Sequence, residues 1–269
     1  MSEHKILGDK TDSPLTPPPL PADLLRTAAD PALSENLALA LLHRPDLPVD
    51  VLELLAKNAN ALKSRKVKLA LASHRHTPRH VSIPLARQFY TFDLMKLALS
   101  SGVPADVRVA VDDILISRLK AVTAGERLTL ARRASGRVAA ALLLEVAGTG
   151  HESRDVKTVK AKTAAAIEAR ETRVMKTALE NPRLTEALVT HAVVRPGAGA
   201  ALIHAVARHA KWSLRKEVRA ALLRTEHLSL ARALEFGREI PGPLLREVLA
   251  SSRLPEKIKD QLLREGPHA

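Results

Sequence analysis

LLHRPDLPVDVLELLAKN (residues 41–58), followed closely by RKVKLALASHRHTPRHV (65–81), decides the fold. Each stretch places apolar residues at helical spacing and sets a helix start after a short turn. Leu47-Pro48 and Thr77-Pro78 share one form, an apolar or Thr residue followed by Pro, Ser or Thr. The form recurs at Leu33-Ser34, Val103-Pro104, Leu184-Thr185, Trp212-Ser213, Leu228-Ser229 and Leu254-Pro255. Ser and Thr accept hydrogen bonds from the orphan amides of a helix's first turn, and Pro there forfeits a donor that has no partner anyway. VDVLELLAKN, ADVRVAVDDILISRL, GRVAAALLLEV and RKEVRAALLRT all read as amphipathic helices. The starts at Pro48, Pro78 and Pro104 lie 30 and 26 residues apart, those at Thr185 and Ser213 28 apart, and those at Ser229 and Pro255 26 apart. A period of that size, one helix pair long, is the mark of a helical repeat array.

A second pattern runs through the later helix of each pair. An apolar anchor is followed by a small residue at +3 and Leu or Val at +4: Val67/Ala70/Leu71, Val107/Ala110/Val111, Val138/Ala141/Leu142, Met175/Ala178/Leu179 and Val218/Ala221/Leu222. These offsets share one helix face, and the small residue lets a neighbouring helix come close. With only five aromatic residues in 269, Ala, Leu and Val must build the core. Such a core suits close helix packing better than a β-sandwich.

The Pro-containing turn before a Leu-rich helix in 41–58 and 65–81, and Asn181-Pro182 before Leu184-Thr185 in ALENPRLTEALV, resembles the leucine-rich repeat variant pattern. Over residues 30–265 the chain also resembles HEAT-like α-solenoids. The resemblance implies an all-α, right-handed solenoid of stacked short helix pairs and a binding role, not a substrate. The iron–sulfur module of some variant-repeat proteins requires cysteine, and this chain has none. The expected organisation is a disordered Pro-rich tail at 1–21, helical repeats at 22–147, a charged insertion at 148–173 and further repeats at 174–265.

Absence of cysteine excludes disulfide scaffolds, thiolate nucleophiles and cysteine-ligated zinc. No apolar run reaches the roughly 18–20 residues that cross a bilayer, and MSEHKILGDK lacks a signal-peptide centre, so a cytoplasmic protein without membrane contact is expected. The net charge of +13 is unevenly spread: residues 1–60 are acidic on balance, whereas 61–140 and 181–269 are basic. A local basic excess suits nucleic acid or an acidic protein.

The basic residues have a register. Lys68, Arg108, Lys176 and Arg219 stand one place after the helix anchors, and Arg65, Arg173 and Lys216 two places before them. Positions three apart share a helix face. If the helices stack in register, these cations form a ladder that a phosphate backbone can follow. Two local clusters extend it. One is Arg65, Lys66, Lys68, Arg75 and Arg79; the other is Arg132, Arg133 and Arg137, around a helix start whose amides could hold an anion. Arg215 lies beside Lys216. The expected function is non-catalytic binding of DNA or structured RNA by its backbone, with no cofactor. A protein-interaction scaffold is the alternative, and a HEAT-like DNA glycosylase a third reading.

Other constellations carry less. His74, His76 and His80 share a turn, but a closed zinc site needs four ligands, so no metal is assigned. Asp112 and Asp113 diverge by about 100° on a helix and form no carboxylate dyad. Gly148-Thr149-Gly150 and Gly197-Ala198-Gly199 lack the Lys-Ser/Thr of a nucleotide loop. Phe89, Tyr90, Phe92 and Trp212 read as core plugs at helix ends rather than as base-stacking platforms.

Overall fold

A computed structural model describes residues 21–152 and 161–265. The expected tail falls almost wholly outside this range, as do residues 153–160 of the expected insertion. Among the described residues the regular structure is entirely helical, without a strand. Contacts group the chain into two compact units, Met1–Ser82 and Ile83–Ala269.

The first unit contains α1 (Pro21–Ala29), α2 (Glu35–Leu42), α3 (Val49–Lys57) and α4 (Arg65–Ser73). Helix α5 (Arg79–Ala86) begins in this unit and ends in the next. The main contacts skip one helix, with α1 on α3 and α2 on α4, and α3 also touches α4. The second unit continues with α6 (Thr91–Leu99), α7 (Ala105–Arg118), α8 (Ala124–Arg133), α9 (Gly136–Glu152) and α10 (Ala161–Leu179). It closes with α11 (Glu186–Val194), α12 (Ala200–Arg208), α13 (Lys216–Leu223), α14 (Leu230–Arg238), α15 (Gly242–Ala250) and α16 (Glu256–Glu265). Here α7, α9, α11, α13 and α15 pack in succession, and α8 packs on α10, α10 on α12, and α14 on α16. Helices α9 and α10, on either side of residues 153–160, lie against each other.

Most helices start where the local chemistry directs. Ser34, Ser64 and Thr185 accept the third amide of α2, α4 and α11, and Thr123 forms a reciprocal capping box with Glu126 before α8. Pro48 and Pro104 precede α3 and α7. The residue ahead of each cap (Leu33, Leu47, Thr77, Val103, Leu184, Trp212, Leu228, Leu254) is buried and pins its turn to the core. One expected start moves. After Trp212 the chain makes an extra turn, with the Ser213 amide donating to the His209 carbonyl, and α13 begins only at Lys216. The Ser213 carbonyl is taken by the Arg219 side chain, which holds Ser213 outside the helix. All five anchors, Val67, Val107, Val138, Met175 and Val218, are buried.

The helix-ending turns carry a device of their own. Asn58, His74, Asn181, His209 and Ser252 each follow the last residues of a helix, and each accepts the amide two residues on: Asn60, His76, Arg183, Lys211 and Leu254. Four of them also donate to a carbonyl at an earlier helix end. Asn58 bonds Ala28 and Asp30, His74 bonds Arg44, Asn181 bonds Ala131 and Ala134, and Ser252 bonds Leu223. Trp212 adds a bond from Nε1 to the Leu179 carbonyl at 2.8 Å. A helix leaves its last carbonyls without partners, and these side chains satisfy them across 28 to 50 residues of sequence.

Candidate functional site

In the first unit, Ser64 caps α4 and sets Arg65 and Lys66 in its first turn, where both are exposed. The Lys66 Nζ lies 3.5 Å from Glu35 Oε1. Lys68 is half-buried, and Arg75 and Arg79 are exposed at the turn that follows. The three histidines of this turn serve different partners. His74 Nδ1 accepts the His76 amide, so Nε2 carries the proton and donates to the Arg44 carbonyl at 2.8 Å. His76 Nδ1 lies 3.2 Å from the Leu47 carbonyl, and His80 Nε2 is 3.2 Å from Glu53. Among the described residues no group of three or more His, Asp or Glu side chains could hold a metal ion.

In the second unit the ladder positions separate. Arg219 is buried; its Nη1 meets Glu239, its Nε donates to the Ser213 carbonyl, and its guanidinium covers the Phe236 ring at 5.3 Å. This cation is spent inside the fold, contrary to its expected place on a binding surface. Arg108 on α7 is half-buried with Nε shut away from solvent. Lys176 is exposed, but on α10, which packs with α8 and α12, whereas α7 and α13 belong to the succession through α9 and α11. Equivalent sequence positions therefore do not share one row of helices.

The expected anion pocket at 130–137 is filled from within. Ser135 caps α9 by accepting the Val138 amide and bonds the carboxylate of buried Asp112. Burial pushes the Asp112 carboxyl above its usual range, against the opposing pull of Ser135 and Arg137. Arg137 reaches Asp113 at 2.8 Å and the Val109 carbonyl at 3.1 Å. The first residue of α9, Gly136, meets the chain around Arg183 so closely that a Cβ would fall on the Arg183 carbonyl. Gly136→Ala is therefore expected to cost about 2–3 kcal/mol by overpacking against backbone. Urea unfolding followed by tryptophan emission checks this; a loss below about 0.5 kcal/mol would show that the two segments part easily.

What the structure does bring together is a set of turns. Asn181 binds the end of α10 to the end of α8, and Trp212 binds the turn after α12 to the end of α10. Exposed cations crowd this edge: Arg132 and Arg133 on the first turn, Arg183 on the second, Lys211 and Arg215 on the third. Arg183 Nη1 donates to the Arg133 carbonyl at 3.2 Å, and Lys211 Nζ stands 4.0 Å over the Trp212 ring. Arg173 and Lys176 are exposed on α10 leading into the same edge, and Lys216 follows Arg215. Glu180 is an exposed carboxylate among them. Sequence reading missed Arg183 and Lys211. Their signal is a basic residue two places after a turn residue, Asn181 or His209, that folds back on its own chain.

Of the aromatic residues, Phe89 and Trp212 are buried plugs as expected, while Tyr90 and Phe92 are exposed at the start of α6.

His209 lies within this edge, with Nδ1 accepting the Lys211 amide. Burial pushes its imidazole below the usual histidine range; Glu180 opposes the shift and Lys211 adds to it. The folded state thus binds this proton less readily than the unfolded state. Its stabilising contribution is present above the ordinary imidazole value of about 6.5 and is lost as pH falls from there through the lowered folded value. His209→Asn keeps the acceptor for the Lys211 amide, as Asn58 and Asn181 do for theirs. Melting curves between about pH 5 and 8 should flatten on the acid side in this variant; an unchanged acid limb would assign the sensitivity elsewhere.

Comparison with known protein families, with curated proteins and with solved structures finds no match.

Proposed function

We propose that this chain is a non-catalytic helical-repeat protein, an α-solenoid of HEAT-like or variant leucine-rich type, that binds the backbone of DNA or structured RNA. Packing of many helices on their next-but-one neighbours, as along α7, α9, α11, α13 and α15, supports the solenoid reading. The observation that carries the binding reading is the edge bearing Arg132, Arg133, Arg183, Lys211 and Arg215. Neighbouring helices in a packed layer stand about 8–10 Å apart, so the three turns repeat cations at a pitch that follows a phosphate chain. The contacts are to backbone and shape: the edge offers guanidinium and ammonium groups, and its indole, Trp212, is buried. Arg65, Arg75 and Arg79 give the first unit a basic surface of the same chemistry.

Fluorescence anisotropy with labelled duplex DNA and structured RNA over a salt series tests the reading. Five phosphate contacts give a log–log salt slope of roughly −4 to −5. Reversing Arg132, Arg133, Arg183, Lys211 and Arg215 to Glu should abolish binding near 150 mM salt while helicity is retained. Equal binding by this variant, or no binding by the unmodified chain even at low salt, would overturn the proposal.

A further inference from the structure

The α9, α11 and α13 succession carries two adjoining grooves that the cationic edge does not use. One, of about 580 Å³, runs between α9 and α11 and reaches the end of α7. Its floor is apolar, with Leu119, Ala141, Leu144 and Leu188, and Lys120, Arg137 and Arg195 stand along it. Glu145, in the same groove, is paired with Arg127 at 3.0 Å. The other groove, of about 1010 Å³, lies on the far side of α11 and reaches Glu217 on α13. It is lined by Ala187, Val194 and Pro196 with Glu186 and Glu217, and it shares His191 and Arg195 with the first. Val194 is exposed, and the Thr190 hydroxyl in this groove is shut from solvent without a hydrogen-bond partner among the described residues.

We infer that this face is a docking site for an amphipathic helix of a partner protein, with its acidic end over Lys120 and Arg195 and its basic end over Glu186 and Glu217. Three neighbouring helices at packed spacing span about 20 Å, the length of some 13 helical residues. The apolar floor accepts the leucine face of such a helix, read out at i, i+3 and i+4 spacing. Lys120 in the first groove and Glu186 and Glu217 in the second set opposite charges at the two ends of the face, with Arg195 between them, and a like-charged end would be repelled.

The test uses the full chain and three synthetic 16-residue amphipathic peptides with one common leucine face. One peptide bears Glu at one end and Lys at the other, one Glu at both ends, and one Lys at both. The mixed peptide should bind tightest in fluorescence polarisation, by about tenfold. Glu217→Lys should weaken the mixed peptide and strengthen the all-Glu peptide, and Arg195→Glu should strengthen the all-Lys peptide. Unchanged circular dichroism and melting temperature in each variant separate these shifts from misfolding, which would expose apolar surface to all three peptides alike. Unspecific attraction to a chain of charge +13 would favour the all-Glu peptide in the unmodified protein. That order, or no binding up to 100 µM, overturns the inference. Competition by duplex DNA separates it from the proposed edge: the mixed peptide should stay bound while DNA occupies the cations, and its displacement would overturn the assignment to a separate face.

Discussion

Asn181→Ala is expected to lower the stability of the second unit by about 3 kcal/mol or more. The side chain is almost wholly buried and makes three hydrogen bonds. Nδ2 donates to the Ala131 and Ala134 carbonyls at 2.8 and 3.2 Å, and Oδ1 accepts the Arg183 amide at 2.8 Å. Truncation strands the two carbonyls away from water and leaves the half-buried Arg183 amide unpaired, and each buried orphan costs about 1–3 kcal/mol. Asn181→Asp should be no better, because a carboxylate keeps the acceptor but turns a negative charge towards two carbonyl oxygens. Asn181→Ser should recover part of the loss, since Ser252 performs both roles at its own turn with one hydroxyl. Urea unfolding followed by emission of the single tryptophan, Trp212, reads all three variants. A loss under 1 kcal/mol for the alanine variant would mean that water replaces the side chain readily and that the turn is no latch.

Trp212→Ala should cost about 3–5 kcal/mol, the usual range for emptying a fully buried large aromatic site. The indole is the largest of the fully buried side chains, and its Nε1 satisfies the Leu179 carbonyl at the end of α10. Trp212→Phe keeps much of the apolar contact and loses the hydrogen bond, so its cost should fall to about 1–2 kcal/mol. In a unit of this size the alanine variant should melt roughly 10 °C lower. Circular dichroism at 222 nm follows it, as the fluorophore is gone. Equal melting temperatures for the two variants would assign the whole effect to the lost hydrogen bond. The alanine variant should also weaken binding of nucleic acid below its melting point, because Lys211 and Arg215 ride on the turn that the indole anchors.

Helix starts were legible because their causes lie within four residues. Ser34 and Thr185 accept amides of the helices they open, and no distant partner can change that arithmetic. The buried anchors were legible for the same reason: Val67, Val107, Val138, Met175 and Val218 mark the apolar stripe of their own helices. Trp212-Ser213 misled because the capping choice there was decided by Arg219, six residues on, which takes the Ser213 carbonyl. The turn at Asn181 could be read as a turn, but its partners at Ala131 and Ala134 are 50 and 47 residues away.

Composition, periodicity and capping chemistry thus determined by themselves that the described residues are all-helical, where α2, α3, α5, α7, α11, α14 and α16 begin, and that the five helix anchors are buried. The tertiary structure alone decided which cations face solvent. Lys176 and Arg219 hold the same place in their helices, yet one is exposed and the other is buried against Glu239 and Phe236. A residue's place on its own helix follows from a 3.6-residue turn, but the exposure of that face depends on the helices packed beside it. The edge of Arg132, Arg133, Arg183, Lys211 and Arg215 arises in the same way. Its members are scattered over more than 80 residues, and they meet only because buried side chains tie the ends of α8, α10 and α12 together.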